Sequence, residues 1–284
     1  MIPYSSIAKA SPEACRRYAD MKPQACNRGP PARINLASGN HHILCHGHRI
    51  PRGLLTLPMI FPSWHRLVEQ YRKRMNRLLS PQLFDLINHP ELVQSAKFQK
   101  AAYDVARMMA AEVAAVNEKS WRAAAMKSSR ARKIFEALRE EIESQHFGHH
   151  LSAIAKQNAE LISSVPLEIG QKITARAAEL RLRGARSSEV DKYIRKLAPK
   201  LVDSRIRLIA RNEVSKSETD LTRERSEHIG IDWYQWASSR DSRVRASHKN
   251  MDRVLVAWGD APDPETLAGE KSSAGHYHAG QTYN

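Results

Sequence analysis

Cysteine is almost absent from this chain of 284 residues. The three cysteines, Cys15, Cys26 and Cys45, all lie within the first 45 residues. Three thiols cannot form the disulfide framework that stabilises small secreted proteins. We therefore expect the protein to be made in a reducing compartment, where its thiols stay free.

Long apolar runs are missing as well. No stretch approaches the ~18 consecutive apolar residues that a membrane-spanning helix requires. Residues 1–20 contain no apolar core of the kind found in secretory signals, so no signal peptide is predicted there. These absences predict a protein without a membrane partner.

Acidic residues are outnumbered by basic ones. The 45 Lys and Arg residues exceed the 30 Asp and Glu residues, which gives a formal net charge of +15 at pH 7. An excess of this size favours an acidic partner, with nucleic acid as the first candidate and an anionic membrane surface as the second. The alternative is a solvated helix surface, because exposed helices are often rich in Lys and Arg.

The distribution of proline divides the chain. Half of the 14 prolines lie in residues 1–60. Proline fixes φ and disfavours the α conformation in the residue before it, so we interpret residues 1–60 as an irregular or disordered extension. The extension also carries zinc-ligand types, but their spacing matches no zinc motif, and no metal site is predicted. These residues are Cys26, His41, His42, Cys45, His46 and His48.

Helical periodicity begins at residue 62. Apolar residues recur at intervals of three and four along residues 64–79 and 101–143. Gly148, Pro166 and Pro199 are predicted to interrupt the helices that follow. A long helix is predicted from Lys200 to about Ile229, before a glycine at position 230 that is suited to the helix end.

Strand patterns appear only after Gly230. Aromatic residues alternate along residues 231–237, and residues 254–258 form a second short apolar run. Glycine and proline then mark loops and turns up to residue 280. The predicted fold class is mainly α, a helical body with a small C-terminal α+β, loop-rich unit.

The basic residues are concentrated in one helical segment. Residues 181–216 hold eleven Lys and Arg against four Asp and Glu, a local charge of +7. Basic side chains on a helix face neutralise phosphates without reading sequence; a solvated face or an acidic protein partner is the alternative. Contact with DNA or a partner is assigned to Arg181, Arg183, Arg186, Lys192, Arg195, Lys196, Lys200, Arg205 and Arg207.

A cluster of charged residues follows Trp236. Asp241, Arg243, Arg245 and His248 lie within eight residues, as expected of a general acid–base site or, with His276 or His278, of a metal-dependent nuclease. No metal motif, phosphate loop or nucleophile elbow is present. Asp–Arg pairs also connect loops through bidentate hydrogen bonds. We predict no catalytic residue and no cofactor.

Four motifs occur in order along the C-terminal half. They are Ile209-Ala-Arg-Asn-Glu213, Gly230-Ile-Asp-Trp-Tyr-Gln-Trp236, Asp241-Ser-Arg-Val-Arg-Ala-Ser-His248 and His278-Ala-Gly-Gln-Thr-Tyr-Asn284. This series resembles the phage head-morphogenesis family, the minor head proteins like the F protein of phage Mu. The last motif departs from the family at Ala279, where proline is usual. The residues that carry the resemblance are Arg211, Glu213, Trp236, Asp241, Arg243, Arg245, His248, Gly280 and Asn284.

The resemblance predicts the domain organisation. It covers residues 151–284, which are expected to form the head-morphogenesis domain. Residues 61–150 fit the family only as an N-terminal helical region, and residues 1–60 do not fit it.

The resemblance implies a structural role. The expected function is that of a minor capsid protein of a tailed phage or prophage, acting without catalysis in head assembly or in genome packaging or delivery. Its expected partners are the portal protein and other capsid or scaffold proteins, with double-stranded DNA in addition. The expected location is the virion, at the capsid interior or portal vertex. Two alternatives stay open: a metal-dependent nuclease that uses Asp241 and His248, and a non-specific DNA-binding accessory protein.

Overall fold

The computed structural model describes residues 61–126, 131–143, 145–238, 244–252 and 254–282. The predicted extension, with its cysteines and histidines, lies outside the described residues. So do three of the nine residues that carry the resemblance, Asp241, Arg243 and Asn284.

Helices dominate the described chain, which confirms the predicted fold class. None of them combines the length and apolar character needed to cross a bilayer. Short 3-10 turns occur at Ser80–Gln82 and Pro90–Gln94. The α-helices are α1 (Phe61–Leu79), α2 (Leu83–Asn88), α3 (Ala96–Ala125), α4 (Ala131–Glu143), α5 (Gln145–Leu182), α6 (Ser187–His228), α7 (Ala246–Met251) and α8 (Pro264–Leu267).

Three predicted helix breaks are wrong. Helix α5 continues through Gly148 and Pro166, and α6 continues through Pro199. A proline inside a helix costs about 3 kcal/mol because it removes one N–H donor and crowds the preceding turn. Pro166 lies on the buried side of α5, between the fully buried Val165 and Ile169. Tertiary packing of this apolar side therefore outweighs the local penalty.

The helix end predicted at Gly230 is confirmed, and a second helix also ends at a glycine. Gly184 follows α5 with φ 84°, and Gly230 follows α6 with φ 69°. At the end of α6, the Ile231 N–H donates to the Ser226 carbonyl over 2.8 Å, as in a Schellman motif. Only glycine adopts this left-handed conformation without a steric cost.

One compact unit is helical and holds the described residues of Met59–Ser120 and Leu138–Glu218. Its core contains fully buried Tyr71, Met75, Met109, Ile162 and Ile206. Within it, α5 and the first part of α6 form an antiparallel hairpin, because residues later in α5 contact residues earlier in α6. These contacts are Asn158–Glu213 at 3.2 Å, Glu168–Arg205 at 2.8 Å and Arg176–Tyr193 at 5.6 Å from guanidinium carbon to ring centroid.

The second compact unit contains the described residues of Trp121–Ala137 and Thr219–Asn284. Its strands β1 (Trp233–Gln235) and β2 (Leu255–Ala257) pair antiparallel, with Tyr234 opposite Val256. Both strands fall inside the predicted strand segments. We call this unit the C-terminal unit; the predicted domain ranges 61–150 and 151–284 stay a prediction. Its buried apolar cluster consists of Trp236, Met251, Val254, Val256, Leu267 and Tyr277.

Candidate functional site

Two of the predicted motif residues meet at the centre of the C-terminal unit. Trp236 directly follows β1 and donates its backbone N–H to the Val254 carbonyl over 2.8 Å. His248, on α7, packs edge-on against the Trp236 ring with centroids 5.7 Å apart. The His248 Nε2 atom lies 2.8 Å from the Tyr277 hydroxyl. Three segments distant in sequence are thus joined through one buried aromatic group.

Arg245, a third motif residue, binds Glu265 at the start of α8. Its Nη1 atom lies 3.0 Å from the Glu265 Oε1 atom. Glu265 is buried, and its carboxylate also accepts hydrogen bonds from the backbone N–H and the hydroxyl of Ser273. The Ser273 hydrogen bonds, the backbone one foremost, lower the pKa of Glu265. The ionised carboxylate therefore connects the loop before α7 to the loop after α8.

A second aromatic group covers the other part of the sheet. Tyr234 stacks on Trp258 with centroids 4.1 Å apart, and His278 meets the Trp258 ring edge-on at 5.3 Å. The Tyr234 hydroxyl accepts the Ala279 backbone N–H over 3.1 Å and lies 3.3 Å from the His278 Nδ1 atom. These contacts hold the C-terminal motif against β1 and β2.

Helix α6 holds the same motif from its own side. The Thr219 hydroxyl donates to the Ala279 carbonyl over 2.7 Å, and the Gln281 amide donates to the Asp220 carboxylate over 3.1 Å. Between these contacts, Gly280 has φ 87°, a conformation that favours glycine. The geometry accounts for the glycine of the predicted closing motif.

Burial of the two histidines favours their neutral forms. Burial is the main cause that lowers the pKa of His248, and the positive charge of Arg245 adds to it. Burial likewise lowers the pKa of His278, with a further contribution from Arg223. Both rings are therefore neutral at pH 7, where they act as uncharged hydrogen-bonding groups inside the unit.

The lowered pKa values of His248 and His278 predict that mild acid destabilises the C-terminal unit. Below the ordinary histidine pKa of 6.5, the unfolded chain binds protons that folded His248 and His278 do not, so stability falls as the pH drops. Amide exchange of β2, measured from pH 7.5 to 5.5 and corrected for the intrinsic rate, is expected to show less protection at the lower pH. The lowered carboxyl pKa values of Asp263 and Glu265 place their titration below this window.

A paired substitution isolates the histidine contribution. The His248→Gln/His278→Gln variant is expected to show a flatter pH dependence than wild type, and His89→Gln, which removes an exposed histidine of the helical unit, is the control. An equally steep loss in the double variant would contradict the assignment to these two rings.

The first predicted motif lies on α6 within the helical unit. Glu213 is buried and accepts a hydrogen bond from the Asn158 amide over 3.2 Å. Asn158 in turn accepts one from the Tyr71 hydroxyl over 2.9 Å. Burial and the charge of Glu213 raise the pKa of Tyr71 far above its usual range, so the hydroxyl remains a donor. Arg211 lies one half-turn earlier on α6 and is half-buried.

The nine basic residues predicted to meet DNA or a partner lie on or between α5 and α6. Eight are exposed, and Arg205 is half-buried. Arg183, Arg205 and Arg207 bind the carboxylates of Glu179, Glu168 and Asp203. The pairs of the exposed Arg183 and Arg207 contribute only about 0–1 kcal/mol each, so they do not prevent an anionic partner from competing.

The residues of the predicted nuclease alternative have separate hydrogen-bond partners. His248 faces Tyr277, His278 faces Tyr234, and the His276 Nδ1 atom lies 2.9 Å from the Ala261 carbonyl. Across the described ranges, no three side chains of His, Cys, Asp or Glu are grouped closely enough to hold a metal ion. His248 and His278 are buried among their aromatic neighbours, whereas His276 is exposed.

Sequence reasoning missed the partners of the motif residues. Tyr277 and Glu265 complete the contacts of His248 and Arg245, yet neither belongs to a motif. Asn158 lies 55 residues before Glu213, and nothing in the spacing points to it. The one usable signal was the position of Tyr277 directly before His278, the start of the closing motif.

Part of the chain is similar to known proteins. A protein of Haemophilus influenzae (strain ATCC 51907 / DSM 11121 / KW20 / Rd), described as an uncharacterized protein, is 30% identical over 112 residues. The alignment covers 39% of this chain and 25% of the relative, so the match spans about a quarter of that relative's length. No solved structure matches the chain. Residues 171–274 match the family described as Phage Mu protein F like protein, which confirms the resemblance predicted from the motifs.

Proposed function

We propose that the protein acts in head morphogenesis of a tailed phage or prophage. The observation that carries this proposal is the family match over residues 171–274. The matched segment contains three motifs in the predicted order, from Arg211 in α6 to His248 in α7. A head protein is also consistent with the described helices, none of which is able to span a membrane.

The geometry of the motif residues favours a structural role over catalysis. The Nε2 atom of His248 is engaged by Tyr277, and Arg245 is engaged by Glu265. These hydrogen bonds connect loops and α7 within the unit, and Trp236 fills its core. Polar groups used in this way order a fold. The motif residues thus stabilise the fold of the C-terminal unit, and no reaction is assigned to them.

The proposal includes a location. The protein is a minor capsid component at the portal vertex, in contact with the portal protein and with packaged DNA. Support for an anionic neighbour comes from the exposed basic residues of α6. Lys192, Lys196 and Lys200 recur every four residues, which places their side chains along one side of the helix.

Deletion of the gene in the phage that encodes it tests the function. Heads from the deletion strain are expected to be defective in assembly or DNA content by electron microscopy, and mass spectrometry of wild-type virions is expected to detect the protein. Complementation with the wild-type gene should restore normal heads. Normal heads in the deletion strain, together with virions that lack the protein, would overturn the proposal.

The proposed contact with DNA leads to a separate prediction. A triple variant, Lys192→Gln/Lys196→Gln/Lys200→Gln, is expected to bind duplex DNA more weakly and with a smaller salt dependence. Each lost phosphate contact reduces the log–log slope by about 0.9. Fluorescence anisotropy over a range of salt concentrations measures both quantities.

A matched control removes the same charge elsewhere. Lys97, Lys100 and Lys119 are exposed lysines of α3, so the equivalent triple Gln variant has the same net charge. We expect this control to retain most of the wild-type salt slope. Equal losses in the two triple variants would show that only net charge matters. DNA binding in a protein absent from virions would instead favour the DNA-binding accessory function.

A further inference from the structure

The turn between α5 and α6 presents an apolar side chain among arginines. Leu182, the last residue of α5, is 89% exposed. Arg181, Arg183 and Arg186 surround it in sequence and are exposed as well. We call residues 181–186 the hairpin tip. Single exposed apolar residues are common, but this one combines high exposure with a local charge of +3.

Backbone hydrogen bonds hold the hairpin tip in one conformation. The Gly184 N–H donates to the Arg181 carbonyl over 2.9 Å, and the Ala185 N–H donates to the Leu180 carbonyl over 3.0 Å. Gly184 has φ 84°, so the tip is a Schellman motif. The ordered backbone lowers the conformational entropy that is lost when a partner binds.

The next helix begins with its own cap. The Glu189 carboxylate accepts the Arg186 backbone N–H over 3.1 Å, and Arg183 binds the Glu179 carboxylate. Glu179 and Glu189 thus accept hydrogen bonds from the tip. The Leu182 side chain, in contrast, stays largely exposed to solvent. The tip combines an ordered backbone, an exposed leucine and guanidinium groups, and arginine is enriched in protein-binding hot spots.

We infer that the hairpin tip docks into an acidic protein surface, with Leu182 in an apolar pocket bordered by carboxylates. Arginine forms bidentate hydrogen bonds with carboxylates, and removal of Leu182 from water adds an apolar contribution. Pairing of the tip with the same tip of a second copy is disfavoured because two segments of charge +3 repel. A DNA backbone accounts for the arginines but leaves the exposed leucine without a role.

The inference rests on the proposed function only for the source of the partner, which is another protein of the phage head. Heads purified from the gene-deletion strain therefore serve as the probe. Labelled Leu182→Ser protein is expected to bind these heads at least tenfold more weakly than wild type, because one buried leucine contributes about this factor. Circular dichroism checks that the variant is folded.

Leu208→Ser is the matched control, since Leu208 is an exposed leucine of α6 outside the tip. It is expected to bind heads like wild type. The Arg181→Gln/Arg183→Gln/Arg186→Gln variant is expected to lose affinity and salt dependence together. Leu182→Ser protein that binds heads as tightly as wild type would overturn the inference while leaving the proposed function intact. Wild-type protein that does not bind heads would contradict both.

Photo-crosslinking identifies what the tip contacts. With a benzoylphenylalanine at position 182, crosslinks are expected on one head protein, in peptides rich in Asp and Glu. The same probe at position 208 should give few crosslinks. Crosslinks from position 182 to DNA, or yields no higher than at position 208, would overturn the proposed docking.

Discussion

Trp236→Ala is expected to lower the free energy of unfolding of the C-terminal unit by about 3–5 kcal/mol. The indole is 3% exposed and lies in the unit's main apolar cluster. It also contacts the rings of His248 and Tyr277, with centroids 5.7 and 6.2 Å away. Its removal leaves a cavity and deprives the His248–Tyr277 hydrogen bond of its packing.

Amide hydrogen exchange in β2 measures this loss within the unit itself. A destabilisation of 3 kcal/mol corresponds to exchange about 100-fold faster. Trp233→Ala is the control, because Trp233 is a half-buried tryptophan of β1 and its loss should cost only about 1–2 kcal/mol. If the two variants exchange equally fast, Trp236 is not the central packing residue described here.

Asn158→Leu is expected to destabilise the helical unit by about 2–6 kcal/mol. Asn158 is 1% exposed and connects the Tyr71 hydroxyl to the Glu213 carboxylate. Leucine has a similar volume, so the core stays filled. The substitution nevertheless removes the acceptor of a buried hydroxyl and one donor to a buried carboxylate, each of which costs about 1–3 kcal/mol.

A double-mutant cycle separates the two hydrogen bonds. Tyr71→Phe in the Asn158→Leu background removes the hydroxyl that has lost its acceptor, and should recover about 1–2 kcal/mol. Urea unfolding followed by circular dichroism gives the four free energies. Additive effects of the two substitutions would contradict the coupling inferred from the 2.9 Å contact. Stability of Asn158→Leu equal to wild type would show that the chain of hydrogen bonds contributes nothing.

The end of α6 and the first strand were predicted correctly because each has a strong local signature. A glycine after a long helical pattern predicted the turn at Gly230, and alternation of aromatic residues predicted the strand that contains Tyr234. The ordered series of motifs then predicted a resemblance to the family described as Phage Mu protein F like protein, which the match over residues 171–274 confirms.

The contacts among the motif residues could not be predicted from sequence patterns. The pairing of Arg245 with Glu265 spans 20 residues, and that of His248 with Tyr277 spans 29. Such distances in sequence carry no periodicity, since they depend on where intervening loops return the chain. The breaks predicted at Pro166 and Pro199 were wrong for a related reason: burial of residues such as Val165 and Ala198 stabilises a continuous helix.

Local rules therefore established the helical character, the two short strands and the basic segment. These properties depend on neighbours in sequence, where capping, periodicity and charge density act directly. The folded chain alone established which buried groups satisfy one another, and that Leu182 stands exposed among arginines. Burial and hydrogen bonding over long sequence separations are collective, because each depends on the packing of the whole unit and not on any single segment.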